Sequence, residues 1–123
     1  MDKILTDLRQ RATETATKFI RAQHAYLEAA DFNSRKSETE LKEAAEEYHK
    51  AIEPYDAALQ ELHQYLLTAE PSEAIAAELV RTERLIGTLD KEKKVTSKLI
   101  AHHIELIAQD VKLTSRRAEE EGE

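Results

Sequence analysis

Leu41, Ala45, Tyr48, Ile52, Tyr55, Leu59, Leu62 and Leu66 follow one another at steps of four and three. A step averaging ~3.5 residues keeps one stripe of an α-helix turned toward a partner helix. The stripe keeps its phase across Pro54. Proline removes one amide donor and crowds the preceding turn, which bends a helix without resetting its period. The middle of the chain therefore reads as one long bent helix, and the rest must supply helices to pack on it.

The flanking segments carry the same pattern. Leu5, Leu8, Ala12, Thr15, Phe19, Ala22, Tyr26 and Ala29 step three and four along one face of a first helix over about 2–31, with Asp2 as its N-cap. Ile20 and Leu27 lie beside Phe19 and Tyr26 and widen that face, so it needs more than one neighbour. The segment 31–36 breaks the pattern, and Asn33 and Ser34 favour a turn. Ser37 and Glu40 then form a capping box for a second helix over about 38–69. Ala44, Ala51 and Ala58 make a small-residue stripe that lets another backbone approach. Pro71 marks the start of a third helix, capped by Ser72 or by the residue before Pro71.

Between Gly87 and Ser97 the third helix is hard to read, because Lys91, Lys93 and Lys94 stand where a packed stripe should be apolar. A turn over 87–97 would give a four-helix bundle. A continuous helix over about 72–117 is the preferred reading, since Gly87 alone disfavours it, by ~1 kcal/mol relative to Ala. The expected fold is thus all-α: an antiparallel bundle of three long helices with coiled-coil-like packing, in one domain over 1–117. The stretch 118–123 (AEEEGE) reads as an acidic, frayed tail.

A continuous third helix would outrun the other two. Its end carries Leu99, Ile100, Ile104, Leu106, Ile107, Val111 and Leu113, which at ~100° per residue cover about half its circumference. Two shorter helices cannot bury that arc. Self-association follows as the expectation, most simply as a homodimer, through Leu99, Ile100, His103, Ile104, Leu106, Ile107 and Val111.

Composition narrows the chemistry. Two glycines and two prolines in 123 residues leave too few turn residues for a sheet protein. The formal net charge of -7 argues against general nucleic-acid binding and against docking on anionic membranes. The absence of cysteine excludes disulfides, thiolate metal sites and thiol nucleophiles. The charged N-terminal segment has no apolar signal core, and no run approaches the ~20 apolar residues of a membrane span. A cytoplasmic protein without membrane insertion is expected.

Five histidines invite a search for a metal centre. Helical-bundle iron sites use paired Glu-x-x-His motifs. Glu46 and His49 supply one, but Leu99 and Ile100 stand at the matching positions before His102 and His103. His24 and His49 project outside the apolar faces of their helices and read as solvated. His103 falls within the apolar arc and reads as a histidine satisfied by a carboxylate or carbonyl. At an interface, it would make association weaken on acidification. Arg81, Arg84, Lys91, Lys93, Lys94 and Lys98 form a local basic patch without interleaved aromatics, suited to docking an acidic protein surface. No phosphate loop, nucleophile elbow or zincin helix is present.

The function expected is that of a non-enzymatic interaction module, an adaptor, chaperone-like or regulatory subunit, with no cofactor. The alternatives are a small metal- or ligand-binding four-helix bundle and an acidic inhibitor of a nucleic-acid-binding protein.

Overall fold

The computed structural model describes residues 2–121, with side-chain surroundings for 2–116. The chain forms three helices: α1 (Lys3–Ala30), α2 (Glu38–Thr68) and α3 (Glu73–Glu121). The all-α expectation and all three helices hold, with starts displaced by one residue or less. α3 itself runs on through 118–121, past the end expected for it. Residues 122–123 lie outside the described residues.

Each helix starts where a short polar side chain meets a free amide. The Leu5 amide donates to Asp2 Oδ1 at 3.2 Å, the Glu40 amide to Ser37 Oγ at 3.2 Å, and the Ile75 amide to Ser72 Oγ at 3.1 Å. Ser72 is therefore the cap of α3. The Ser37 box departs from the usual pattern: its Oγ donates to the Glu40 carboxylate at 3.4 Å, a contact ordinarily made by the cap's backbone amide. α2 continues unbroken through Pro54. α3 continues through Gly87 and the lysines, which removes the turn over 87–97 and with it the four-helix alternative. Lys91, Lys93 and Lys94 are exposed, so the charge that obscured this stretch lies in solvent.

α2 is the central helix. α1 and α3 each pack on it, and their backbones do not approach one another. The burial pattern follows from that layout. α1 buries Leu5, Ala12, Phe19 and Tyr26, one line at every seventh residue. α3 buries Thr82, Leu89, Thr96 and His103, again one line. α2 faces both neighbours and buries two lines, including Ala45, Ile52, Leu59 and Leu66 beside Tyr48, Tyr55 and Leu62. Ala58 is 2% exposed, as a close approach at a small residue requires. Phe19 joins the layers through tilted contacts with Tyr48 and Tyr55, at ring-centroid distances of 5.6 and 5.7 Å.

Candidate interaction surface

Three side-chain bridges span the gap between α1 and α3. At one end, Arg9 meets Glu78 through two parallel hydrogen bonds of 2.7 and 2.6 Å. This contact holds the Glu78 carboxyl below its usual range, with further help from Arg81 and against the opposing effect of burial. In the middle, Gln23 donates to the Tyr48 hydroxyl at 3.1 Å, and that hydroxyl donates to the Glu92 carboxylate. Burial and the Glu92 contact push Tyr48 up to about 12. At the far end, His103 joins all three helices. Its Nδ1–H donates to Glu38 Oε2 at 2.8 Å, and its Nε2 accepts from the Tyr26 hydroxyl at 3.0 Å. The carboxylate can only accept, which sets the imidazole tautomer.

Between the first two bridges lies an open groove of about 450 Å³. Tyr55, Leu59 and Leu62 form its floor, and Ala12, Ala16 and Thr82 its low walls. α1 and α3 stand apart because each packs on α2, and the small residues on both walls leave the space between them unfilled.

The residues expected to mediate association divide into two groups. Leu99 and Ile100 are half-buried against the core of their own chain. His103 is 6% exposed and is held by Tyr26 and Glu38 of the same chain. It is the carboxylate-satisfied histidine expected, and both of its partners belong to its own chain. Ile104, Leu106, Ile107 and Val111 lie beyond. Glu38 begins α2 and lies against His103, so α3 from Ile104 onward extends past the end of the bundle. That overhang reaches Glu121, ~27 Å at ~1.5 Å per residue. Ile104 is 49%, Val111 59% and Leu113 57% exposed, while Leu106 and Ile107 are half-buried.

The basic residues do not form one patch. Arg81 lines the α1–α3 groove beside Glu78. Arg84, Lys91 and Lys98 are exposed at seven-residue spacing along one line of α3. Lys93 and Lys94 join Lys98, Asp90 and Ser97 around a shallow depression.

His49 corrects the reading of a solvated histidine. It is half-buried at the α2–α3 contact, where its Nδ1 and Thr96 Oγ1 share a hydrogen bond of 2.5 Å. The seam between α2 and α3 is wider than the apolar stripe, so a polar pair fits at its margin. His24 is exposed, as expected. No group of three or more potential metal ligands occurs among the described residues. No described helix is long and apolar enough to cross a membrane.

Helical periodicity does not mark Phe32. It is 97% exposed, in the turn joining α1 to α2. That turn is well built. The Asn33 amide donates to Asp31 Oδ1 at 3.2 Å, the Ser34 amide to the Asp31 carbonyl at 3.0 Å, and Ser34 Oγ to the Ala29 carbonyl at 2.6 Å. Arg35 takes a left-handed backbone conformation, φ 57°, to enter α2. An aromatic residue inside a turn motif was the available signal.

No family model matches the chain, and no curated protein or solved structure was found similar to it.

Proposed function

We propose that this protein is a non-enzymatic interaction module, an adaptor, chaperone-like or regulatory subunit, that self-associates through the α3 overhang. One observation carries the reading: the bundle ends near His103 while α3 continues to Glu121 with exposed Ile104, Val111 and Leu113. An apolar helix face without a neighbour in its own chain gains free energy by burial against another surface, at about 25 cal/mol per Å². The exposed line Arg84, Lys91 and Lys98 is a docking site for an acidic partner on the same reading. A cytoplasmic location is part of the same proposal.

The test is the mass of the protein in solution. The wild type should be dimeric by sedimentation or light scattering. Leu106→Glu should be monomeric with the bundle's helices retained, and its unfolding free energy should fall by what association adds at that protein concentration. A Leu106→Glu protein that stays dimeric would count against association through the overhang.

A further inference from the structure

α1 and α3 run in the same direction, since Arg9 meets Glu78 and, further along both helices, Tyr26 meets His103. Each packs on α2, and neither packs on the other. Helices so placed occupy three corners of a four-helix bundle. The α1–α3 groove marks the fourth corner, across from α2.

The banks of that corner follow from the residues lining the groove. Thr13 lines it from α1, and Ile20 and Leu27 continue the line of Thr13 at every seventh residue. Arg81 and Leu85 line it from α3, and Thr88 and Val95 continue the line of Arg81. Ile20, Leu27, Leu85 and Val95 are each about half exposed. Apolar side chains thus stand on both sides of one trough, with Tyr55, Leu59 and Leu62 as the floor of its deeper end.

Charge differs between the banks. Outside the Thr13 line, α1 presents Gln10, Thr17 and His24, which carry no formal charge near neutrality. Outside the Arg81 line, α3 presents Arg84, Lys91 and Lys98, all exposed. No acid stands three or four residues from any of these three along α3, and none of them is in an ion pair among the described residues. By contrast, Lys36, Lys42 and Lys50 each meet a glutamate at that spacing. The acids nearest the trough, Glu78 and Glu92, are turned to Arg9 and Tyr48. The row ends at Glu105, beyond the bundle. In a chain of net charge -7, an uncompensated cationic row beside an apolar trough calls for an external acid.

Resting on the interaction-module reading above, we propose that this corner receives an acidic amphipathic helix of a partner protein. The apolar stripe of that helix lies on Ile20, Leu27, Leu85 and Val95, and its carboxylates face Arg84, Lys91 and Lys98, as flanking charges do in coiled coils. Seven-residue spacing suits a helix with an acid at one heptad position. Arg84 to Lys98 spans ~21 Å, about four turns. A nucleic acid would use the cations and leave Ile20 and Leu27 in water.

The probe is a displayed library of three-heptad helical peptides without tryptophan. Each has an apolar stripe and Glu, Lys, Gln or Ala at every other position. Selection on the wild-type chain should enrich Glu along one flank of the stripe. The chain has no tryptophan, so Leu85→Trp creates a single reporter in the trough. Its emission should move to shorter wavelength when a selected peptide binds. Exchanging all three cations (Arg84→Glu, Lys91→Glu, Lys98→Glu) should weaken that peptide by ~30-fold or more. Ile20→Ser should weaken it by ~10-fold, with circular dichroism unchanged in both proteins. Leu106→Glu should bind as the wild type does. Peptides enriched in Lys, no enrichment, or an affinity unmoved by the triple exchange overturns the corner site, whatever the mass of the wild-type chain. Binding lost in Leu106→Glu but kept in the triple variant moves the peptide to the overhang, which also overturns the corner. A row that holds oligodeoxythymidylate at physiological salt, with no helix selected, makes nucleic acid the occupant instead. A wild type that is monomeric at every concentration overturns self-association alone and leaves this test intact.

Discussion

Glu78 shows how one carboxylate serves two helices. Its side chain is 13% exposed and holds Arg9 across the α1–α3 gap. Because its pKa is lowered in the folded chain, the folded state binds fewer protons there than the unfolded state as the pH falls. The stabilisation is complete above the ordinary carboxylate range and is lost as the pH falls through the depressed value. Arg9 is half-exposed, so solvent screens the pair and its contribution is about 1 kcal/mol or less. Denaturant titration of Glu78→Gln should show this loss near neutrality and a smaller difference from wild type in acid. A difference independent of pH would mean that Glu78 acts through packing. The periodicity of α1 and α3 did not reveal this pair, because Arg9 and Glu78 both lie off their apolar lines.

The helices were legible because period, caps and turns agreed. Asp2 and Ser37 were readable as caps from their types and positions. Phase across Pro54 was enough to give a single α2. α3 was harder, since its charged middle breaks the apolar stripe. The structure resolves this by burying Leu89 and Thr96 on the inner line and leaving Lys91, Lys93 and Lys94 in solvent. Gly87 is a residual weakness in α3. A Cβ placed there meets nothing within 4 Å, and its backbone conformation is helical. Gly87→Ala should therefore stabilise the protein by ~0.5–1 kcal/mol, through lower unfolded-chain entropy and better helix propensity. Chemical denaturation with an unchanged slope would check it, and destabilisation would reveal a close neighbour at that position.

At the scale of the whole molecule, α2 carries the core. It is covered on two sides, whereas α1 and α3 each bury one line and meet only through side chains. Local opening should follow that order. Native-state hydrogen exchange should find the slowest amides around Ile52, Leu59 and Leu66, faster exchange in α1, and the fastest helical amides beyond Ile107 in the monomeric Leu106→Glu protein. If amides near Val111 exchanged as slowly in that variant as those near Leu59, the overhang would have a neighbour within its own chain. The same layout leaves the α1–α3 groove open and sends α3 past the bundle.

Everything periodic in this protein was readable from the chain. The lengths and phases of three amphipathic helices follow from backbone geometry and apolar spacing, which act locally. The apolar excess beyond Leu99 followed too, as a surplus over what shorter helices cover. Packing in three dimensions was needed to establish which helix lies in the centre and which polar groups meet. His103 finds Tyr26 and Glu38, and His49 finds Thr96, because packing brings together residues 47 to 77 positions apart. Such pairings leave no period in the chain, since each needs only one compatible group at the right height on a neighbouring helix. The exposure of Phe32 likewise depended on how the turn folds, and nothing in its neighbours' spacing could announce it.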